Sequence, residues 1–259
     1  HRTIVFCRRD SDQPANLLLL GDSHAVSLYS GLAAVLQGTT WKVEHIGGSG
    51  SSPLRGTIAK GLNDPDALLQ AKREITETML ARAKSATAPL VLLVGRWPVY
   101  FHAAGFGEAE AGVRRDVRSY LHPELTDPKA IFERSLRDTL LELTTTGKRV
   151  IFVLDNPELG FDPKSCIDAR PFRLNKKPLR SPCAVPRADF EARNRDYRAL
   201  VSKVLADFPQ VILVDGAKPF CDDQWCWAMK DGKVLYYDDD HVSLEGARLI
   251  AREILPHLQ

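Results

Sequence analysis

The chain has 259 residues, of which 44% are hydrophobic and 26% are charged, as in an ordinary globular domain. A formal net charge of +2 gives no electrostatic reason to expect nucleic-acid binding. No segment has the roughly 18 uninterrupted apolar residues that a membrane-spanning helix requires. Residues 1–16 mix charges with one short apolar patch, which predicts a linker or edge segment before a single domain at residues 17–259.

The segment LLLLGDSHA joins a strand pattern directly to a helix pattern. Four consecutive leucines predict a strand buried on both faces, and Gly21 permits the turn that follows. Ser23 is therefore predicted at the carboxyl end of a strand, the edge where ligands bind in open α/β sheets. The alternative is that Ser23 only caps the helix that begins there.

Strand and helix patterns alternate along the rest of the chain. In order, we predict a strand within 41–54, a helix at 64–84, a strand within 89–100, a helix at 127–148, a strand at 149–155, a helix at 187–206, a strand at 210–216, a hairpin at Asp231 and Gly232, and a final helix. Residues 102–126 are predicted to leave the sheet and to contain some helix. The alternation indicates an α/β fold, a three-layer sandwich with a central, mostly parallel sheet.

Two further strand ends carry unusual residues. The strand within 41–54 ends in a glycine loop that includes Gly48 and Gly50, whose amides can approach a reacting carbonyl oxygen; a plain turn is the alternative. The strand within 89–100 ends in Gly95, Arg96 and Trp97. Carboxyl ends of parallel strands meet at one edge of a sheet, so these residues are expected near Ser23.

Four of the five cysteines fall into two local pairs, Cys166 with Cys183 and Cys221 with Cys226. Each pair brackets turn-rich sequence, which favours two disulfides and an oxidising compartment; reduced, half-buried thiols are the alternative. Cys7 is then left over. Zinc is disfavoured because no histidine stands at ligand spacing near these cysteines.

The loop at about 156–187 is long and rich in proline and basic residues. Loops of this length are usually functional or mobile. We predict that it rests over the site or on an anionic surface, and the alternative is a solvated flap tied by a disulfide.

The C-terminal motif YYDDDHVSLEGA supplies the groups that would activate a serine. A serine hydroxyl needs a base, and the base needs an anionic partner. Asp238 precedes His241 by three residues, so a tight turn can place its carboxylate beside the imidazole. Asp239 and Asp240 are interpreted as solvated or capping residues. No metal is predicted, because the cluster offers too many carboxylates and too few imidazoles for zinc.

These blocks together resemble a known family. GDSHA, the glycine loop and DDDHVSLEGA look like the SGNH (GDSL-like) hydrolases. More narrowly, GDSHA, the RW after the third strand and the cysteine loop before LYYDDDHVS resemble the periplasmic SGNH domain fused to membrane acyltransferase-3 proteins. The resemblance covers most of the chain in scattered blocks, and it implies a flavodoxin-like topology and a periplasmic domain of an inner-membrane protein.

Carried over by position, the resemblance makes Ser23 the nucleophile, His241 the general base and Asp238 the residue that orients His241. It implies a serine-dependent acyltransferase that O-acetylates a cell-surface polysaccharide of the lipopolysaccharide O-antigen type. An acetyl group derived from acetyl-CoA would come through an N-terminal membrane acyltransferase-3 domain in the same or a partner chain. This domain itself is expected to be monomeric, without a bound cofactor or nucleic acid.

The resemblance also implies an oxyanion hole made by the backbone amides of Ser23 and Gly50, with Gly48 as the second choice for Gly50. Family members have an asparagine where this chain reads GRW, so one donor is missing or is replaced by Arg96. Losing one such donor typically costs about 3 kcal/mol, so weak ester hydrolysis is expected. A free-standing carbohydrate esterase or deacetylase, and a non-catalytic glycan-binding module, are the alternative functions.

Overall fold

The computed structural model describes residues 6–167 and 179–259, and they form one main sheet with smaller two-stranded pairs around it. The strands are β1 (Phe6–Arg9), β2 (Leu17–Gly21), β3 (Val43–Gly47), β4 (Thr57–Gly61), β5 (Leu90–Val94), β6 (Arg115–Ser119), β7 (Arg149–Leu154), β8 (Ala184–Pro186), β9 (Ile212–Asp215), β10 (Trp225–Trp227), β11 (Met229–Lys230) and β12 (Lys233–Val234). The main sheet has the order β1-β3-β2-β5-β7-β9, and its pairs are parallel except β1 with β3.

The helices are α1 (Ser23–Leu36), α2 (Ala67–Ser85), α3 (Trp97–His102), α4 (Pro128–Thr145), α5 (Arg187–Leu205) and α6 (Leu244–Ile254). The helices expected at 64–84, 127–148 and 187–206 are therefore present within a few residues. Asp127 caps α4 as a side-chain acceptor of the amides of Lys129 and Ala130. Within the described ranges, every helix is too short or too polar to cross a membrane.

The leucine run explains the three layers. Leu18 and Leu20 pack in the core on the face that α2, α4 and α5 cover, whereas Leu17 and Leu19 pack with α1 and α6 on the other face. Successive strand residues point to opposite faces, so a strand between two helical layers must be apolar at every position. The predicted three-layer α/β/α sandwich with a mostly parallel sheet is confirmed.

The sheet order determines where the site lies. Counted along the chain, the parallel strands β2, β3, β5, β7 and β9 have the flavodoxin-like order 2-1-3-4-5. The chain leaves β2 for one neighbour and later returns on its other side, which makes the carboxyl ends of β2 and β5 a topological switch point. Ser23 follows β2 and Arg96 follows β5, so both lie at this crevice.

Three parts of the structure differ from, or add to, the sequence predictions. Residues 6–9, within the segment expected to precede the domain, form β1, an edge strand antiparallel to β3. The helix expected within 102–126 is wrong: the helical residues are those of α3, and β6 instead pairs antiparallel with β4. The hairpin at Asp231 and Gly232 is present between β11 and β12. Of the loop at about 156–187, residues 168–178 lie outside the described residues.

Candidate active site

Asp22, rather than Ser23, caps α1. Its carboxylate accepts hydrogen bonds from the amide of His24 at 2.9 Å, the amide of Arg96 at 3.0 Å and the hydroxyl of Tyr100 at 3.0 Å. Asp22 is buried, and its hydrogen bond with the amide of Arg96 links the end of β2 to the end of β5. The capping alternative for Ser23 is therefore wrong, and its hydroxyl lies at the helix start with a different partner.

That partner is His241, whose Nε2 lies 2.8 Å from the Ser23 hydroxyl oxygen. The two residues are 218 positions apart in sequence. They meet because α1, which begins at Ser23, packs along α6, which begins three residues after His241. This is the geometry in which an imidazole accepts the proton of a serine hydroxyl as that hydroxyl attacks.

Two carboxylates bind the other imidazole nitrogen. Nδ1 of His241 lies 3.0 Å from each oxygen of Asp238 and 2.7 Å from an oxygen of Asp240. Asp238 also accepts from the backbone amide of His241 at 2.8 Å, which closes the turn before α6. The sequence interpretation of Asp240 as a solvated or capping residue is wrong, because Asp240 is buried and contacts the imidazole.

The electrostatics of this cluster favour a charged imidazole. Burial lowers the pKa of His241, but Asp238 and Asp240 overcome that effect and raise it to about 9. Burial opposes the charge of Asp240 as well, yet its contacts with His24 and His241 and the charge of Arg96 hold its pKa well below the usual range. The site therefore stabilises an imidazolium, the species that forms when His241 takes the serine proton.

A second histidine lies behind the first. His24 is buried, with Nδ1 2.8 Å from Asp155 and Nε2 3.6 Å from Asp240, and its ring centroid is 4.9 Å from that of His241. Burial lowers the pKa of His24, but the two carboxylates raise it well above its ordinary value. Burial raises the pKa of Asp155 to about 6 despite the opposing effect of His24. The ring of His24 is thus directed away from the Ser23 hydroxyl and supports Asp240.

The guanidinium of Arg96, the suggested replacement for the asparagine of the family pattern, is surrounded by carboxylates. Its Nε donates to Glu158, one terminal nitrogen donates to Glu110 and lies 2.6 Å from an oxygen of Asp240, and the other donates to Glu110 and Glu158. Four hydrogen bonds and one ion pair with three carboxylates therefore hold a group that has five N–H donors. Arg96 instead holds Asp240 in the protein interior beside His241.

The glycine loop reaches the same cavity as Ser23 and His241. This cavity has a volume of about 370 Å³, and Ser49 and Gly50 contribute to its lining. Gly50 has φ of +61°, a conformation that other residues rarely adopt, and a Cβ there would lie 2.9 Å from Nζ of Lys72. Gly48 accepts a hydrogen bond from the amide of Ser51 within the same turn.

A second cavity also borders Ser23 and His241. It has a volume of about 400 Å³ and includes Ser23, His241, Tyr237 and Leu244 in its lining. The side chain of Tyr237 is 72% exposed and that of Leu244 is 45% exposed, whereas the aromatic side chain of Trp97 is fully buried in the core. The Ser23–His241 pair therefore contacts two spaces that separate groups can occupy.

Two clusters bring possible metal ligands together. The atoms of His24, Asp240 and His241 lie within 4.8 Å of one another, as do those of Asp238, Asp239 and Asp240. In the first cluster the guanidinium of Arg96 already contacts Asp240, and a positive charge there opposes a cation. Among the second three, Asp238 and Asp240 bond to His241, so both sets fit hydrogen bonding better than metal binding.

Both predicted disulfides are present, Cys166 with Cys183 and Cys221 with Cys226. Cys7 is an exposed free thiol within the described part of the chain. The first bond closes the loop whose residues 168–178 are not described, and the second closes the small loop that leads into β10. Neither bond involves Ser23, Asp238, Asp240 or His241.

A serine bonded to an imidazole, with carboxylates behind it at the switch point of a flavodoxin-like sheet, is the arrangement of serine hydrolases and acyltransferases. The family model described as the SGNH domain fused to AT3 domains matches residues 2–256. The chain therefore belongs to this SGNH domain family. A comparison with curated protein sequences found no match.

Solved structures with the same fold include the periplasmic domain of a lipopolysaccharide acetyltransferase from Salmonella ser. Paratyphi A. It has 15% sequence identity and a TM-score of 0.66, with 96% of this chain and 85% of that chain covered. An acetyl xylan esterase, AlAXEase, has 14% identity and a TM-score of 0.53, with 94% and 100% covered. An acetylxylan esterase mutant from Geobacillus stearothermophilus has 13% identity and a TM-score of 0.50, with 96% of each chain covered.

Proposed function

We propose that this domain O-acetylates a cell-surface polysaccharide, of the lipopolysaccharide O-antigen type, through an acetyl-serine intermediate. Ser23 attacks the carbonyl carbon of an acetyl donor while His241 takes its proton, and the donor leaves with that proton. A sugar hydroxyl then attacks the acetyl group, gives its proton to His241, and Ser23 leaves as the protonated hydroxyl. Asp238 orients His241 in both steps.

The 2.8 Å contact between Ser23 and His241 carries this proposal. A non-catalytic glycan-binding module has no need of a serine bonded to a carboxylate-backed imidazole. The two cavities that border the pair fit a reaction in which a donor and an acceptor reach the same serine. The family match to domains fused with AT3 proteins supports an acyl donor supplied by a membrane acyltransferase, and it supports a periplasmic location.

For the oxyanion, we propose the amides of Ser23 and Gly50 as donors. Ser23 is the first residue of α1, where backbone N–H groups have no partner within the helix. Because Glu110, Glu158 and Asp240 hold the guanidinium of Arg96, we propose no third donor of the family type from that side chain. We therefore expect kcat for the hydrolysis of activated esters to be about a hundredfold lower than in an enzyme that has the third donor.

The proposal is tested by incubating the oxidised domain with an acetyl donor and an acetyl-free O-antigen oligosaccharide, in the presence and absence of membranes that contain an AT3 partner. Mass spectrometry should detect acetyl on Ser23 and then on the sugar. Ser23→Ala and His241→Ala should abolish both signals. Ser30→Ala, at an exposed position of the same helix, is the matched control and should leave them unchanged.

The alternatives predict different results in the same experiment. A carbohydrate esterase would release acetate from an acetylated glycan and would not acetylate the acceptor. A glycan-binding module would bind the oligosaccharide equally well with and without Ser23→Ala and would form no acetyl-enzyme. Acetylation of the sugar by the Ser23→Ala protein would reject the covalent mechanism.

A further inference from the structure

The wall of the 370 Å³ cavity contains two basic side chains that form no salt bridge with the described residues. Lys72 of α2 donates from Nζ to the carbonyl of Ala59 at 2.7 Å, and Arg115 of β6 lies on the same cavity. Within residues 6–167 and 179–259, neither side chain forms a salt bridge. Burial lowers the pKa of Lys72 and the charge of Arg115 lowers it further, whereas the charges of Asp64 and Asp22 act in the opposite direction.

The acidic residues of the cavity do not need these cations. Asp22 accepts three hydrogen bonds, Glu110 and Asp240 bind Arg96, and Asp238 binds His241. Arg115 comes from the β4–β6 ribbon and Lys72 from α2 beside it. Asp238 and Asp239 come from the loop before α6. The cavity therefore has a cationic part and a part whose carboxylates can accept hydrogen bonds from hydroxyl groups.

Other basic residues of the same ribbon are paired. Arg118, three positions after Arg115 on β6, lies 2.7 Å from Asp116. Lys60, on β4, contacts both Asp66 and Asp116. Lys72 and Arg115 thus differ from these neighbours, because they line the cavity and form no salt bridge within the part of the chain that the structure describes.

We infer that Lys72 and Arg115 bind an anionic group, a carboxylate or a phosphate, on the saccharide that enters this cavity. The inference rests on the proposed function for the identity of the ligand as a saccharide. Two charge-assisted hydrogen-bond donors would recognise the anion, and Asp238 and Asp239 would accept hydrogen bonds from hydroxyl groups of the same sugar. The substrate class is then an acidic glycan rather than a neutral one.

Binding is measured on the Ser23→Ala protein with oxidised disulfides, using glucuronate, glucose 6-phosphate and glucose as probes. At low salt the preferred anionic sugar should bind about tenfold more tightly than glucose, the range expected for a charge-assisted contact. The glucuronate and phosphate arms identify which anion the site prefers. Raising the salt concentration should reduce the preference, because screening weakens partly exposed charge pairs.

Lys72→Met and Arg115→Met should each remove the preference for the anionic sugar, and Arg118→Met is the matched control that should retain it. Thermal unfolding of each variant checks that it is folded, and Lys72→Gln and Arg115→Gln serve as second variants. Equal affinity for glucose and both anionic sugars, or loss of the preference in Arg118→Met, would overturn the inference.

The experiment separates this inference from the proposed function. Binding by the Ser23→Ala protein requires no acetyl transfer, so anion preference can persist even if the transfer reaction fails. A role of Lys72 in stabilising the oxyanion would lower kcat for the neutral ester p-nitrophenyl acetate in Lys72→Met. That loss, with unchanged binding of the anionic sugars, would contradict the inferred role in ligand recognition.

Discussion

At the scale of single residues, the contacts of His241 indicate that its two carboxylates partly substitute for each other. Asp238→Asn leaves Asp240 at 2.7 Å from Nδ1, so the imidazole keeps an anionic partner. We expect a loss of kcat/KM of about 100-fold or less for Asp238→Asn, below the roughly 10,000-fold known when a single orienting aspartate is replaced. Hydrolysis of p-nitrophenyl acetate provides the measurement.

The double variant Asp238→Asn/Asp240→Asn should lose far more activity than the product of the single losses, because each carboxylate covers for the other. Asp223→Asn, an exposed aspartate outside the site, is the control. Strictly multiplicative losses would show that the two carboxylates act independently.

The pKa of His241 sets a second expectation at this scale. With a pKa of about 9, the imidazole is protonated at neutral pH and cannot accept the serine proton. The value of kcat/KM should therefore rise about tenfold per pH unit, as for a single base, and level off once the pH exceeds this pKa. Asp240→Asn removes one of the groups that raise the pKa, so the midpoint should move to lower pH. A wild-type profile that stays flat from about pH 6 to about pH 9 would contradict this expectation.

Sequence reasoning identified Ser23, His241 and Asp238 but misread Asp240. In DDDH nothing distinguishes the third aspartate from the second, because both stand in the same turn of polar residues. Asp240 is buried because Arg96, which follows a strand far away in sequence, contacts it in the folded protein. The orientation of His24 toward Asp155 is likewise a consequence of tertiary structure.

At the scale of elements, the sequence predicted those strands and helices whose pattern of apolar residues is visible within one segment. The run at Leu17–Leu20 is apolar at every position because helices cover both faces of β2. The β4–β6 ribbon gave no such signal: its strands read TIAKG and RDVRS, with charged side chains on residues that pair across the ribbon. Its cation-bearing wall beside the active site could therefore be found only in the structure.

The packing of α1 against α6 leads to a prediction about stability and activity. Gly31 of α1 lies so close to α6 that a Cβ added to it would be 2.4 Å from the Cβ of Ala247. Gly31→Ala should therefore push the helices apart and lower the free energy of unfolding by about 1–3 kcal/mol. It should also lower kcat, because these helices position Ser23 and His241. Ser30→Ala, one residue earlier and exposed, should change the free energy of unfolding by less than about 0.5 kcal/mol.

The measurement is denaturant unfolding together with ester hydrolysis for both variants. Wild-type stability in Gly31→Ala would mean that the helices adjust without cost. Reduced stability with unchanged kcat would mean that the contact holds the fold but does not set the distance between Ser23 and His241.

At the scale of the whole molecule, the flavodoxin-like order explains how the two ends of the chain form one site. The strand that precedes Ser23 lies at the switch point, and the last helix packs on the first. Arg96 and Glu158, which follow β5 and β7, complete the crevice from neighbouring strands. The proposed catalytic cluster therefore requires the complete sheet. Activity should be lost in the same transition in which the whole domain unfolds.

The two disulfides should make the stability of the fold depend on an oxidising environment. Cross-links stabilise a protein mainly by restricting its unfolded chain, and longer loops gain more. The bond between Cys166 and Cys183 spans 17 positions and that between Cys221 and Cys226 spans 5. We expect the paired alanine substitutions to lower the free energy of unfolding by about 3 and about 2 kcal/mol, respectively. Cys7→Ala should have little effect, because Cys7 is exposed and free.

Reduction of the wild-type protein should reproduce the combined loss, so material made in a reducing compartment should unfold at lower denaturant concentration than oxidised material. This is the behaviour that a periplasmic domain requires, because its stability then depends on the oxidising environment it is proposed to occupy. Unfolding curves of the oxidised, reduced and cysteine-substituted proteins provide the measurement. Identical midpoints for the oxidised and reduced wild-type protein would show that the cross-links do not stabilise this fold.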